Sequence, residues 1–239
     1  MRLSAPIYQL KRKARFLART DNIPLHIALD RIARLEGFAA WSLLAGRASA
    51  ALPAEKLFAR FAAGDLVLLG ARPGHGKTLM SLKLAVEAMK SGGRSVFFSL
   101  EYAERDVLDR FRAIGVAPAD FDGRFAFDNS DDISADYIIA ALGNAPRGTL
   151  VVVDYLQLLD QKRGNPELMD QVRALQSFAR RQGLIFVFIS QIDRRYDPAT
   201  KPCPDLDDVR LPNPVDLGLF SKTCFLNDGE VRFGAGGRP

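Results

Sequence analysis

The fold is decided by the stretch Leu66-Val67-Leu68-Leu69-Gly70-Ala71-Arg72-Pro73-Gly74-His75-Gly76-Lys77-Thr78, which leads into a helical run ending near Lys90. Its first four residues form an uninterrupted apolar run, typical of a strand buried on both faces of a parallel sheet. From Ala71 onward it follows the Walker A pattern of glycine, four residues and Gly-Lys-Ser/Thr, with alanine in place of the first glycine. In such a strand–turn–helix, backbone N–H groups surround phosphate oxygens. The stretch therefore predicts a phosphate-binding loop.

The loop supplies the residue types that nucleotide phosphates and their metal require. We expect Lys77 to reach the β and γ phosphates of ATP and the Thr78 hydroxyl to bind Mg²⁺. Gly74 and Gly76 provide backbone conformations that a side chain would disfavour. We assign no catalytic role to His75, whose side chain is expected to point away from the nucleotide. The predicted nucleotide contacts are Arg72, Pro73, Gly74, His75, Gly76, Lys77, Thr78 and Leu79.

Two acidic residues end other apolar runs. Asp154 follows residues 150–153 and is the predicted Walker B acid, which holds Mg²⁺ through water. Glu101 follows residues 95–100, and the carboxyl ends of parallel strands share one edge, so we expect it to face the γ phosphate and activate the attacking water. Each residue has its own alternative. Asp154 would instead cap the following helix, and Glu101 would be a surface carboxylate at a helix start beside Glu104.

Polar residues after a fourth apolar run, residues 184–189, complete the predicted site. Gln191 is predicted to sense the γ phosphate by a hydrogen bond and to pass its state to the loop that follows. Arg194 and Arg195 are predicted to contact the backbone of single-stranded DNA, or they are a solvated charge pair. Residues 197–214 contain five prolines and predict a long loop near the functional edge of the sheet.

The alternation of apolar strands and helical stretches predicts an α/β domain over residues 61–239, with a mostly parallel central sheet flanked by helices. Residues 1–60 have another pattern, in which apolar residues recur at helical spacing among basic ones. They predict a small basic helical segment, with Phe38 and Trp41 as aromatic residues of its core; the alternative for these two is a pair on which bases stack.

Charge is concentrated in the first quarter of the chain. Residues 1–63 carry 11 Lys and Arg against 4 Asp and Glu, a net charge of +7, so the remainder of a chain with a total of +5 has −2. A solvated helix face and a surface that attracts phosphate backbones are both compatible with the densest cluster. That cluster is Lys11, Arg12, Lys13, Arg15 and Arg19.

Composition excludes several classes of protein. With 239 residues, 48% hydrophobic and 26% charged, the chain can bury a sizeable core. Its longest apolar run falls far short of the roughly 20 residues that cross a bilayer, and no signal-peptide core follows the first basic residues, so we expect no membrane association and a cytoplasmic location. Two cysteines and two histidines make a disulfide framework or zinc cluster improbable.

Four motifs in order resemble those of the C-terminal domain of DnaB-type replicative helicases, over roughly residues 64–233. They are residues 71–78, Phe98-Ser99-Leu100-Glu101, Asp154-Tyr155-Leu156-Gln157-Leu158 and Ser190-Gln191-Ile192-Asp193-Arg194. The resemblance implies a RecA-like P-loop ATPase that assembles as a hexameric ring and acts on DNA. It also implies that Lys77 and Thr78 hold nucleotide and metal, Glu101 is the catalytic carboxylate, Asp154 is the Walker B acid and Gln191 is the γ-phosphate sensor.

The chain departs from this family near its end and at its start. Family members present a Lys-x-Arg pair to the neighbouring subunit's nucleotide, and residues 226–233 contain none. An arginine that completes the site would come from Arg232, Arg238 or a partner protein. The basic segment at the start replaces a helical domain and linker helix of different pattern.

Two functions follow as hypotheses. The first is an ATP-hydrolysing DNA helicase or motor associated with single-stranded DNA. The alternative is a nucleotide-gated regulatory or binding module, in which ATP orders the loop after Gln191 for a protein partner and hydrolysis is weak.

Overall fold

A computed structural model describes residues 4–5, 7–41, 43–44, 53–121, 123–162, 164–197, 200–201, 203–211, 213–227 and 230–236. The chain divides into two compact units. One comprises Met1–Pro53 with Asn227–Val231, and the other Ala54–Leu226 with Arg232–Pro239. The predicted domain boundary between residues 60 and 61 stays a prediction.

The first unit contains two helices that pack on each other, α1 (Ile7–Thr20) and α2 (Leu25–Leu35). Small and aliphatic residues at helical spacing make their shared core. Phe38 and Trp41 pack against this core, as the sequence predicts. The buried members of the core are Leu10, Ala14, Ala28, Ile32, Ala33 and Leu44.

The second unit is built on a seven-stranded sheet with the order β3-β2-β4-β5-β1-β6-β7. All pairings from β3 to β6 are parallel, which confirms the predicted α/β class with a mostly parallel sheet. The predicted strands correspond to β1, β2, β4 and β5; the other three carried no clear sequence signal. The strands are β1 (Leu66–Ala71), β2 (Ser95–Ser99), β3 (Phe125–Asp128), β4 (Leu150–Asp154), β5 (Ile185–Gln191), β6 (Lys222–Asn227) and β7 (Glu230–Ala235).

Five helices accompany the sheet in the described part of this unit. The longest are α4, which follows the phosphate-binding loop, and α7, whose apolar face is buried. Among the described residues, no helix is both long enough and apolar enough to cross a bilayer. The helices are α3 (Ala54–Phe58), α4 (Lys77–Lys90), α5 (Glu104–Ala113), α6 (Ala135–Ala141) and α7 (Leu168–Gln182).

Strand register brings the candidate residues to one edge. Ala71 at the end of β1 pairs with Gln191 at the end of β5, and Ser99 at the end of β2 pairs with Asp154 at the end of β4. Every residue of β1 and β4 is buried. Burial on both faces fixes the register, since a slip would expose apolar side chains or bury polar ones.

The proline-rich segment after β5 is tied back to the sheet edge. Ile192 forms an isolated antiparallel bridge with Val209, and the Lys201 ammonium pairs with Asp205 at 2.7 Å and with Asp208 at 2.6 Å. The segment is therefore a long loop at this edge, as predicted, with one short 3-10 turn at Leu206–Asp208.

Candidate nucleotide-binding site

The phosphate-binding loop has the conformation that its glycines predict. Gly74 and Gly76 have φ values of +80° and +85°, which residues with a side chain rarely adopt. A Cβ atom at either would meet nothing within 4 Å, so the constraint is the backbone conformation and not space. Gly76 is the N-cap of α4, and among the described residues no side chain caps this end. The first N–H groups of α4 are therefore available to phosphate oxygens.

Lys77, the first residue of α4, is partly buried in the cleft. Burial lowers the pKa of its ammonium, while the charges of Asp154 and Glu101 raise it. The ammonium thus lies within the electrostatic reach of both predicted acids. A phosphate group would add negative charge at the same place and favour the protonated form.

Asp154 ends β4 with only 2% of its surface exposed. Burial, reinforced by the charge of Glu101, raises the pKa of this carboxyl to about 7, and Lys77, Thr78 and Arg110 act against that increase. The Thr78 hydroxyl donates to Asp154 Oδ2 at 3.4 Å. The N-cap of the next 3-10 turn is Tyr155, so Asp154 does not cap it.

The donor set at Thr78 and Asp154 fits a magnesium ion. A hydroxyl and a carboxylate are the oxygen ligands that Mg²⁺ prefers, and Mg²⁺ usually keeps several of its waters. A buried carboxylate whose pKa is raised lacks a full set of compensating charges, and a divalent cation would supply them.

Glu101 lies two residues beyond β2 and is exposed. Its backbone N–H donates to Ser99 Oγ at 3.1 Å, which turns the chain at the strand end. Helix α5 starts only at Glu104, so Glu101 stands on the turn between strand and helix, and its charge acts on both Lys77 and Asp154.

These residues line one cleft of about 550 Å³ at the carboxyl edge of the sheet. Of the predicted site, only Arg72, His75, Arg194 and Arg195 lie outside its lining. Burial, together with the charges of Arg72 and Lys77, lowers the pKa of His75. The lining residues are Pro73, Gly74, Gly76, Lys77, Thr78, Leu79, Glu101, Tyr102, Arg110, Asp154, Tyr155 and Gln191.

Three lining residues escaped sequence reasoning: Tyr102, Arg110 and Tyr155. The Arg110 guanidinium lies 4.6 Å from the centroid of the Tyr102 ring, and the Tyr102 hydroxyl is 3.4 Å from Thr78 Oγ1. Arg110 is on α5, nine residues after Glu101, and its direction depends on how α5 leaves the turn after β2. It adds a second positive charge to the cleft.

Gln191 ends β5 and is half-buried at the cleft. Its backbone carbonyl accepts a hydrogen bond from the Arg210 N–H at 2.8 Å, and the Gln157 amide donates to the Arg210 carbonyl at 2.9 Å. Gln191 thus joins the cleft to the loop after β5.

Arg194 and Arg195 are not among the residues that line the cleft. Arg195 is paired with Asp193, its Nε donating to Oδ1 at 3.1 Å, and its side chain is 91% exposed. Arg194 is exposed as well. Arg232 is on β7 and its charge acts on Asp205, while Arg238 lies outside the described residues.

A family model described as "AAA domain" matches residues 33–194 of the chain. Among curated proteins, a "Probable plasmid replicative DNA helicase" of Chlamydia trachomatis is 24% identical over 214 residues, which are 73% of this chain and 48% of that protein. "Replicative DNA helicase DnaB" of Mycoplasma genitalium is 24% identical over 74% of this chain and 46% of its own length. The chain spans about half the length of the curated relatives it matches.

Solved structures share the fold. A DnaB-like replicative helicase, solved in a study of its interactions with primase, aligns with a TM-score of 0.59 and 21% identity over 93% of this chain and 67% of its own. A KaiC-like protein from Pyrococcus horikoshii OT3 aligns with a TM-score of 0.51 and 17% identity over 68% of this chain and 70% of its own. The predicted RecA-like fold is confirmed.

Proposed function

The chain belongs to the AAA domain family, which implies nucleotide binding, and from that premise we propose that it binds ATP with Mg²⁺ and hydrolyses it. One observation carries the proposal: the phosphate-binding loop, Thr78, Asp154 and Glu101 line a single cleft, although 76 residues of chain separate Thr78 from Asp154.

In the proposed mechanism the chain positions the triphosphate and neutralises its charge. The N–H groups of the loop and of the first turn of α4 bind phosphate oxygens, and the Lys77 ammonium takes up charge that develops on the γ phosphate. Thr78 directly, and Asp154 through water, would hold Mg²⁺, which would stabilise negative charge on the phosphates.

Glu101 and Gln191 act on the reacting end of the nucleotide. The Glu101 carboxylate orients the attacking water and accepts its proton. The Gln191 amide hydrogen-bonds the γ phosphate. Loss of that phosphate is transmitted to Arg210, whose backbone N–H donates to the Gln191 carbonyl. Most of the acceleration comes from positioning and electrostatics, as phosphoryl transfer generally requires.

The substrate of the motor is proposed to be DNA. The relatives are named as replicative DNA helicases, and we extend that activity to this chain as a helicase-like motor on single-stranded DNA, contacted by Arg194 and Arg195. Assembly into a homo-oligomer, a hexameric ring by resemblance, belongs to the same proposal, and so does a cytoplasmic location. In such an assembly a further arginine would reach the cleft from Arg232 or Arg238 of a neighbouring copy, or from a partner protein.

ATP turnover in the presence and absence of single-stranded DNA tests this function. We expect multiple turnovers per site, stimulated by DNA at low salt and reduced by about 10² or more in Lys77→Ala with its fold intact. An ATP turnover rate that is the same with and without DNA at low salt contradicts the proposed motor function but is compatible with ATP hydrolysis.

The alternative function, a nucleotide-gated regulatory module, is favoured by one observation. Strands β6 and β7 carry no Lys-x-Arg pair, while the Gln191–Arg210 backbone bond already ties the cleft to the loop. Under this alternative, nucleotide binding changes the protease sensitivity of residues 197–211, and the chain completes at most about one turnover per site.

A further inference from the structure

The outer face of α1 carries positive charge that the first unit does not neutralise. Described residues 4–44 contain three acids, and each has a hydrogen-bond or ion-pair partner other than an α1 cation, although the charge of Lys13 also acts on Glu36. Asp21 pairs with Arg31 at 3.1 Å, Asp30 accepts the Trp41 N–H at 2.8 Å, and Glu36 accepts the Ser4 N–H at 2.7 Å. In the described chain, no ion pair involves the α1 cations. Those exposed cations are Lys11, Arg12, Lys13, Arg15 and Arg19.

Phe16 stands in the middle of this face with 72% of its surface exposed. Arg12 precedes it by four residues and Arg19 follows it by three, so all three share one side of the helix. Arg12 and Arg19 are about 10 Å apart along the axis. Packing of α1 on α2 uses the opposite side, through Leu10 and Ala14. The exposed Phe16 ring therefore does not contribute to the packing of the core of this unit.

A groove of about 660 Å³ lies at the border of this face, where α1 packs on α2. Leu17 and Ile32 contribute apolar surface to it, and Phe16 with the basic side chains of α1 completes the lining. Ile32 is only 8% exposed and belongs to the shared core of the two helices, so this part of the lining is fixed by the folded core. The site thus combines a fixed apolar edge, an exposed aromatic ring and a row of guanidinium groups.

We propose that this face of α1 is a binding site for single-stranded nucleic acid, separate from the nucleotide cleft and independent of hydrolysis. A base stacks on the Phe16 ring, and Arg12, Arg15 and Arg19 bind the phosphates on either side. A positive surface that follows the backbone, with an aromatic ring that takes any base, is the combination that binds single strands without regard to sequence. An acidic protein segment would pair with the cations, but its carboxylates would make no stacking contact with the Phe16 ring at the centre.

The test measures binding of labelled 15-mers of dT and U to the full chain without nucleotide, by fluorescence anisotropy at several salt concentrations. Phe16→Ala is expected to weaken binding about tenfold, the effect of losing one stacked base. The matched control Leu35→Ala removes an equally exposed apolar side chain, 81% exposed on α2, and leaves affinity within twofold. A preference for dT or for U tells which nucleic acid is bound, and either supports the site.

The arginines are tested through the salt dependence. Replacing Arg12, Arg15 and Arg19 by serine removes about three phosphate contacts, so the slope of log K against log salt is expected to become shallower by about 2. Phe16→Trp keeps affinity, and its indole fluorescence is quenched by oligo(dT) over the background of Trp41, the single tryptophan of the chain.

Two outcomes overturn the proposal. One is equal affinity of Phe16→Ala and Leu35→Ala; the other is displacement of the oligonucleotide by polyglutamate of matched charge at the same concentration, which assigns the face to an acidic protein. Lys77→Ala separates this site from the proposed ATPase, because it lowers turnover by about 10² or more and leaves the Phe16 effect unchanged.

Discussion

The nucleotide cleft and the outer face of α1 are both rich in charge, but they are built in opposite ways. In the cleft, Lys77 and Arg110 face Asp154 and Glu101, and three separate stretches of chain are held together by strand register. On α1, cations follow one another along a single helix with no acid among them. Compensated charge in a buried, rigid setting suits the handling of a triphosphate, whereas uncompensated charge on a surface suits attraction of a polyanion.

The largest effects are expected from the two residues that we propose to act on the γ phosphate. Lys77→Ala and Glu101→Gln should each lower the turnover number by 10² to 10⁴, because they remove a charge at the transferred group or the base for the water. Glu101→Gln should leave ATP affinity within a few-fold. The control Lys90→Ala, at the far end of α4 and paired with Glu87, should retain activity. Activity in Glu101→Gln equal to that of the unaltered chain would remove this residue from the mechanism.

Arg110 is expected to have the next largest effect. Its positive charge faces the cleft, so Arg110→Ala should reduce turnover about tenfold or more through the loss of a charge-assisted contact with phosphate. Arg112→Ala, on the same helix and paired with Asp109 at the surface, is the matched control. If both variants lose the same activity, the effect comes from α5 as a whole and not from charge in the cleft.

A smaller effect is expected from substitution of Asp154, and it concerns the stability of the protein in addition to its activity. Its pKa is raised to about 7 in the folded chain against 3.8 for the ordinary group, so the folded state binds the extra proton between these values. Stability of the nucleotide-free protein therefore falls as pH rises from about 4 to about 7, and then stays lower. Asp154→Asn should raise Tm by at least 2–4 °C at pH 8, which corresponds to about 1 kcal/mol, with little change at pH 4. An unchanged or lowered Tm at pH 8 would show that the carboxylate is not destabilising. Calorimetry without nucleotide measures this.

The smallest effect is expected at Arg195. Because this side chain is 91% exposed and already paired with Asp193, Arg195→Ala should weaken single-stranded DNA binding less than threefold and change the salt slope by no more than about 0.7. Arg173→Ala on α7 provides an exposed control. A tenfold loss at Arg195 would move the principal DNA contact from α1 to the edge of the sheet.

Much of the cleft was predictable because the segments that form it each have a recognisable local sequence pattern. The apolar runs before Asp154 and Gln191, and the glycines before Lys77, identify strand ends and a turn by sequence alone. The parallel topology then dictates that these ends meet. Tyr102 and Arg110 were missed because their direction depends on how α5 leaves the catalytic turn.

The edge strands and the α1 face lie at the limit of such reasoning. Strand β3 has four half-buried residues and β7 has a mixture of exposed and half-buried residues, so neither has the continuous apolar run of a central strand. For α1, the basic residues were visible in the sequence, but a solvated face and a binding face have the same pattern. Only the exposure of Phe16 and the groove beside it distinguish them.

A crystal structure of the chain with Mg²⁺ and a non-hydrolysable ATP analogue tests the central claim most directly. The account predicts the γ phosphate between the Lys77 ammonium and the Glu101 carboxylate, with Mg²⁺ bound by Thr78 Oγ1 and joined to Asp154 through water. A nucleotide bound outside this cleft, or a γ phosphate beyond the reach of Lys77 and Glu101, would contradict it.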